Sequence, residues 1–156
     1  MKVQNLRKKY PQFVYEKYSY RISKNNLEIF FDFKVPPDIK FEPKLVIKNV
    51  SHKIIKQVED KVLNNLIFHL GLIEIPSYWK ATCSPKILIK AGPLNKEQIK
   101  WWKDLIINGM GQFFYENKID WRSKSFLAIK SPLEARPLSV FDKKLRNRYL
   151  VPFAGG

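Results

Sequence analysis

The chain has 156 residues, 45% of them hydrophobic and 28% charged, which indicates one ordinary globular domain and excludes a disordered chain. The single cysteine excludes an internal disulfide, and the longest apolar run, Leu66 to Ile75, is interrupted by His69 and Glu74 and is too short to cross a bilayer. Because no secretory segment follows the start, the sequence predicts a protein of the reducing cytoplasm.

The net charge of +15 is dispersed along the chain. Only six of the 29 basic residues are arginine, the side chain best suited to bidentate recognition of phosphates and bases. We therefore expect nucleic-acid binding to be weak and non-specific if it occurs, although the charge favours anionic ligands by steering. A small basic module that binds nucleic acid or another polyanion, with Tyr and Trp stacking on bases, is the alternative function.

The amino-terminal third predicts strands. Residues 1–10 are basic and have no hydrophobic period, so we predict a mobile start. From Phe13 to Phe33, two runs of alternating apolar residues flank Ser23-Lys24-Asn25-Asn26, which predicts a β-hairpin with one buried face. Pro36-Pro37 ends the second run, and a short third extended segment is predicted within 41–50.

Two amphipathic helices are predicted next. The first begins at a Ser51 cap and ends with Gly71 as its C′ residue. Its predicted apolar face consists of Ile54, Ile55, Val58, Val62, Leu66, His69 and Leu70. The second helix begins at a capping box and runs to Phe114 through Gly109 and Gly111, where we expect close packing, a break or the approach of a ligand. The capping box is formed by Asn95 and Gln98, and the strand predicted between the two helices is Lys86 to Ala91.

A polar–aromatic cluster within 68–85 is the first candidate site. Cys83 is interpreted as a nucleophile, a proton-transfer residue or an inert packed thiol. Tyr78 is either part of a pocket wall or an anchor of a folding turn, and Lys80 is a possible partner for an anion. We expect this stretch and residues 109–117 to form the walls of one pocket.

We do not expect a metal site. His52 and His69 are too far apart to be a ligand pair on one helical face, and Cys83 stands alone.

The carboxy-terminal part suggests a second unit. One strand is predicted at 126–129, and the proline-interrupted residues 132–148 are predicted to be a linker. Residues 149–156 are predicted to form an apolar strand that runs into Gly155-Gly156, the kind of turn with which several phosphate-binding loops begin. The sequence thus predicts an α+β domain over 1–131, an antiparallel sheet packed against two amphipathic helices, followed by the first strand of another domain.

Three motifs together resemble one family. The resemblance is to the N-terminal half of the UDP-N-acetyl-α-D-muramoyl-L-alanyl-L-glutamate epimerase family and covers Tyr18 to Gly156. It is carried by the order and separations of the three motifs, which are IEIPSYWKATCSP, INGMGQFFYEN and LVPFAGG. In that family the glycines continue into Lys-Asp-Ser of a nucleotide-binding α/β domain, whereas this chain ends at Gly156. The resemblance implies an enzyme that uses ATP and Mg²⁺ to activate the terminal glutamate carboxylate and then inverts its α-carbon.

The resemblance also implies roles for residues. Gly155 and Gly156 match the nucleotide loop and are the expected cofactor-binding residues, and we extend catalytic roles to Tyr78, Lys80 and Cys83. The implied partner is the UDP-linked muramoyl dipeptide of peptidoglycan-precursor synthesis. Because the loop stops after two glycines, we expect this fragment by itself to be inactive and not to bind ATP tightly.

Overall fold

The structure, a computed structural model, describes residues 3–132. The elements in chain order are α1 (Val3–Lys9), β1 (Gln12–Ser23), β2 (Asn26–Val35), β3 (Ile39–Phe41), β4 (Lys44–Lys48), α2 (His52–Ile55), α3 (Asp60–Trp79), β5 (Lys86–Ile89), α4 (Lys96–Gly109), α5 (Gly111–Glu116) and β6 (Ala128–Lys130). The strands form one sheet in the order β3-β2-β1-β5-β6, with β4 also paired to β2. The predicted α+β class is confirmed.

The predicted hairpin forms the centre of this sheet. β1 and β2 pair antiparallel, and the turn residues Lys24 and Asn25 have φ values of 50° and 59°, as a tight two-residue hairpin turn requires. β3 and β4 also pair antiparallel to β2. β5 and β6 join in parallel, so the sheet is mixed rather than purely antiparallel. Parallel neighbours need a crossover, which α3 provides between β1 and β5 and α4 with α5 between β5 and β6.

The prediction of a mobile start is wrong for the described residues. Val3–Lys9 form α1, and the chain leaves it with a hydrogen bond from the Tyr10 backbone N–H to the Leu6 carbonyl of 2.7 Å. Val3 and Leu6 pack against the core. A helix of seven residues is too short to show a clear period, and tertiary contacts rather than local pattern hold it.

The helix predicted from Ser51 to Gly71 is two helices, and Gly71 ends neither. Ser51 does cap α2, where its hydroxyl accepts from the Ile54 N–H at 3.4 Å. α3 then continues through Gly71 and Pro76 to Trp79. Gly71 is needed inside the helix because the Tyr15 ring lies against it, and a Cβ there would overlap the Tyr15 hydroxyl.

The break between α2 and α3 also changes which side chains are buried. The single period predicted across both helices places Ile54 and Leu66 inside, but they are 49% and 55% exposed. The buried apolar side chains of α3 are Val62, Leu63, Ile67, Phe68, Leu72, Ile75 and Trp79. A turn between two helices shifts the phase of the pattern, so a period extended across it selects the wrong face.

α4 begins at the predicted capping box, in which Asn95 and Gln98 satisfy each other's backbone N–H groups. The helix is interrupted at Met110, and a Cβ at Gly109 or Gly111 would meet no atom of residues 3–132 within 4 Å. Of the three alternatives for these glycines, the structure shows a break. The strand predicted at 126–129 is found as β6, two residues further on.

The two faces of the sheet differ in chemistry. α3 and α4 share one face, where Leu72, Ile75, Trp102 and Ile106 meet the β5 side chains Ile87 and Ile89. On the opposite face of β1 and β2, the cross-strand partners are mostly polar or charged, with one aromatic ring among them: Lys17 with Asp32, Ser19 with Phe30, and Arg21 with Glu28. The predicted linker beyond Pro132, the last strand, Gly155 and Gly156 lie outside the described residues.

Candidate functional site

The three side chains predicted to be catalytic lie where α3 ends, but in three different environments. Tyr78 is half-buried, with ring centroids 5.5 Å from Phe33 and 5.1 Å from Phe41. Lys80 is the C-cap of α3 and is exposed. Cys83 is 1% exposed and has a φ of 50°. The stretch that the sequence singled out is therefore a helix end followed by a tight turn.

The Cys83 thiol is packed in the interior. Its Sγ donates to the Lys80 carbonyl at 3.6 Å, and burial raises the pKa of the Cys83 thiol to about 11. A thiol with this pKa carries little thiolate at neutral pH, and the thiolate is the nucleophile. This environment suits the packed-thiol interpretation, and the catalytic role of Cys83 stays a prediction.

Arg7 of α1 holds the turn that carries Cys83. Its guanidinium donates one hydrogen bond to the Cys83 carbonyl and a second, of 2.6 Å, to the Phe126 carbonyl. The same group lies 4.2 Å from the centroid of the Phe126 ring. Partial burial lowers the pKa of Arg7, but an arginine still keeps its charge. A cation from the amino terminus thus joins two segments that are far apart in sequence, and we call this contact the Arg7 clamp.

Trp79 anchors the other side of the same turn. Its indole N–H donates to the Ser84 carbonyl at 2.8 Å, and its ring packs edge-on against Phe114 and Phe126, with centroids 6.2 Å away in each case. Trp79 and Phe114 are both 0% exposed. The two stretches expected to wall one pocket therefore meet through two side chains in the core, and a pocket between them stays a prediction.

An open cleft lies beside the Arg7 clamp. It has a volume of about 690 Å³, in the range of small-molecule sites. Its lining residues, which define the Arg7 cleft, are Val3, Gln4, Arg7, Asn117, Lys118, Ile119, Asp120 and Phe126. Lys118 is exposed and has a φ of 53°, and the Asp120 carboxylate pairs with Arg122 at 2.9 Å, which lowers the pKa of Asp120. Two cations and two amide side chains suit a polar ligand that carries negative charge.

Sequence reasoning missed Arg7 and Lys118. Arg7 is one basic residue among several at the start, and its contact with Cys83 spans 76 positions, which no local pattern reports. The positive φ of Lys118 follows from the end of α5 at Glu116. Lysine gives no sequence signal for a left-handed conformation, unlike glycine or asparagine.

The described residues show neither a metal site nor a membrane helix. Within 3–132, no group of three or more His, Cys, Asp and Glu side chains is arranged to hold a metal ion. The His69 Nδ1–H donates to the Asn65 carbonyl at 2.9 Å, and the ring packs against those of Phe68 and Trp102, as a core histidine does. None of the described helices is both long and apolar enough to cross a membrane.

The fold and the cleft together define an α+β domain with a mixed sheet and a polar, cation-lined cleft at its amino-terminal helix. Comparison with protein families then identifies the family to which this domain belongs. The family model described as MurL N-terminal domain matches residues 4–156, so the chain belongs to this family. The resemblance drawn from the three motifs is confirmed. No curated protein and no solved structure matches the chain.

Proposed function

We propose that this chain serves in the epimerisation of the terminal L-glutamate of UDP-N-acetylmuramoyl-L-alanyl-L-glutamate, a cytoplasmic step of peptidoglycan-precursor synthesis. The observation that carries the proposal is the family match over residues 4–156. The Arg7 cleft supports it, because its size and charge suit such a ligand. The diphosphate and glutamate carboxylates of that substrate are anions, and the net charge of +15 favours their approach.

The Arg7 cleft is the proposed place of contact with the UDP-linked muramoyl peptide. Lys118 is exposed at its rim and is the side chain most able to meet an anionic oxygen. Arg7 already donates to the carbonyls of Cys83 and Phe126, so its role is to shape the cleft and add positive potential. Gln4 and Asn117 offer amide groups that can donate to phosphate or sugar oxygens.

ATP and Mg²⁺ belong to the proposal as cofactors. When bound, ATP supplies activation of the glutamate carboxylate, which makes the neighbouring α-proton easier to remove than it is beside a free carboxylate anion. The residues assigned to the nucleotide, Gly155 and Gly156, lie outside the described residues, so no described side chain is assigned to it.

The chain's own contribution to the chemistry is proposed to come from the end of α3. Lys80 is exposed and able to pair with an anionic group, whereas Tyr78 is held by ring contacts and Cys83 is enclosed. The Arg7 clamp joins this segment to the wall of the cleft, so it sets where the segment lies relative to a bound ligand.

The test is a titration of the ¹⁵N-labelled chain with UDP-N-acetylmuramoyl-L-alanyl-L-glutamate, with UDP-N-acetylmuramic acid as the comparison ligand. We expect saturable shifts of the Arg7, Lys118 and Phe126 amide resonances, because these residues line the cleft. The dipeptide-bearing ligand should bind more tightly, since it carries further anionic groups. No saturable shift, or shifts confined to residues far from the cleft, would contradict the proposal.

A further inference from the structure

A second groove lies on the open face of the sheet, away from the Arg7 cleft. It has a volume of about 260 Å³ and shares no lining residue with that cleft. Its polar and aromatic side chains come from three strands and the residue after β3. We call it the Asp32 groove and define it by Lys17, Ser19, Phe30, Asp32, Lys40 and Glu42.

Asp32 is the unusual member of this groove. It is 8% exposed, and its Oδ1 atom has no hydrogen-bond partner among the described residues. Among residues 3–132, no basic side chain forms an ion pair with it. A buried carboxylate oxygen without a partner destabilises the fold, so its presence calls for a ligand or a group that completes it.

Asp32 lies near Lys40, which feels its charge, but the two side chains do not form an ion pair. The β1–β2 register shifts between Tyr15 and Lys17, which leaves Glu16 in a bulge. Glu16 pairs with two lysines outside the groove, Lys34 at 3.7 Å and Lys90 at 3.3 Å. The lysines that line the groove itself are Lys17 and Lys40.

The charges that remain in the groove are balanced. Lys17 lies opposite Asp32 in the strand register, and the Lys40 ammonium is 2.8 Å from the Glu42 carboxylate. A simple cation would be attracted by the two carboxylates and repelled by the two lysines. A simple anion would be attracted by the two lysines and repelled by the two carboxylates. A ligand that carries both charges on adjacent atoms satisfies both pairs.

We propose that the Asp32 groove binds a free α-amino acid in its zwitterionic form. The ammonium group pairs with the Asp32 carboxylate, which lines the groove, and the ligand carboxylate accepts from the Lys17 and Lys40 ammonium groups. This site goes beyond the epimerisation proposed above and does not depend on it, since the two sites share no residue.

The proposal is tested first with L-alanine and with two analogues, propionate and ethylamine, each of which lacks one of its two charged groups. Amide shifts of Lys17, Asp32 and Lys40 are followed by NMR as the chain is titrated at constant ionic strength with L-alanine, propionate or ethylamine. L-Alanine should give a saturable shift with a Kd on the order of 1–10 mM, and each half should bind at least about tenfold more weakly. If propionate or ethylamine binds as well as L-alanine, or if no saturation appears by about 100 mM, the proposal is overturned.

Matched substitutions supply the second test. Asp32→Asn keeps the shape but removes the charge, and it should raise the Kd for L-alanine at least about tenfold. Asp38→Asn is the control, because Asp38 is exposed and lies outside the groove, with Lys9 3.5 Å away. Its Kd should stay within about twofold of the original chain's.

A third variant covers the case in which Asp32→Asn does not fold. Lys17→Met removes a proposed carboxylate partner from an exposed position and should also weaken L-alanine binding at least about threefold. An unchanged Kd in either folded groove variant would contradict the site. Substrate titrations at the Arg7 cleft are separate measurements, so one proposal can fail without the other.

Discussion

The two faces of the sheet are built from the same strands and yet hold charge in opposite ways. On the helix-covered side, the partly buried Arg7 donates to two carbonyls and lies over an aromatic ring. On the open side, Glu28 pairs with two cations at 2.7 Å, whereas Asp32 forms no ion pair with any residue of the described part of the chain. The charge of Arg7 therefore holds one backbone geometry. The charge of Asp32 is the one that we propose a ligand completes.

The largest loss of stability is expected at Gly71, where the packing of α3 against Tyr15 leaves no space for a larger side chain. Gly71→Ala places a Cβ against the Tyr15 ring, whose Cε1 would lie 2.9 Å away, so the variant should lose about 3 kcal/mol of unfolding free energy. Thermal unfolding should shift downward by roughly 10 °C. Gly109→Ala is the control, since no described residue lies within 4 Å of its Cβ, and it should change stability by less than about 1 kcal/mol. Alanine favours a helix more than glycine does, so equal losses in both variants would contradict the Tyr15 contact as the cause.

The Arg7 clamp should show the next largest effect. Arg7→Met keeps much of the aliphatic stem but leaves the carbonyls of Cys83 and Phe126 without their donor, at a cost of about 2 kcal/mol. Lys8→Met, an exposed neighbour in α1, is the control and should be nearly neutral. Chemical denaturation measures the free energy of unfolding of both variants. A neutral Arg7→Met would show that the clamp does not hold the turn.

The reactivity of the Cys83 thiol measures how well the helix-covered face of the sheet is shielded from solvent. Because burial raises the pKa of its thiol to about 11, native Cys83 should react with iodoacetamide at pH 7.5 at least about 100-fold more slowly than the unfolded chain.

The same raised pKa makes the free energy of unfolding depend on pH. The folded thiol keeps its proton to a higher pH than the unfolded thiol, so its contribution to stability is complete below the unfolded pKa of about 9 and is lost as pH rises towards 11. Cys83→Ala should remove this alkaline loss. Fast labelling of the native chain would place the thiol in an open site.

The smallest effect is expected on the open face. Hydrogen bonds from Lys44 and then Arg21 lower the pKa of Glu28. A carboxyl whose folded pKa is lowered adds stability above its unfolded pKa, and this contribution is lost as pH falls through the folded value. Glu28→Gln should therefore have a shallower decrease of melting temperature between about pH 5 and pH 3 than the original chain. Identical acid profiles would show that these exposed ion pairs are screened.

The sequence predicted local structure better than long-range contacts. The alternation of β1 and β2 and the Asn95–Gln98 capping box gave correct elements, because each depends on neighbours in the chain. Local propensity predicts that a helix ends at Gly71. Packing against Tyr15 overrides that propensity and keeps α3 continuous to Trp79.

The candidate site was only partly predictable for the same reason. The polar–aromatic stretch around Cys83 stands out by composition, but the Arg7 clamp on it and the cleft beside it depend on α1 and on residues 117–126. Asp32 looked like one more polar residue on a solvated face. Its burial arises from the bulge at Glu16 and the strands on either side, which no periodicity reveals.

The most direct measurement of the central claim compares two lysines in the same backbone conformation. Lys118 in the Arg7 cleft has a φ of 53°, and Lys24 in the hairpin turn has a φ of 50°. Because asparagine tolerates this region, Lys118→Asn and Lys24→Asn each remove one charge without backbone strain. Calorimetric titration with UDP-N-acetylmuramoyl-L-alanyl-L-glutamate should show a Kd raised at least about fivefold in Lys118→Asn and within about twofold in Lys24→Asn. Equal Kd values in the two variants would contradict the assignment of the Arg7 cleft to the substrate.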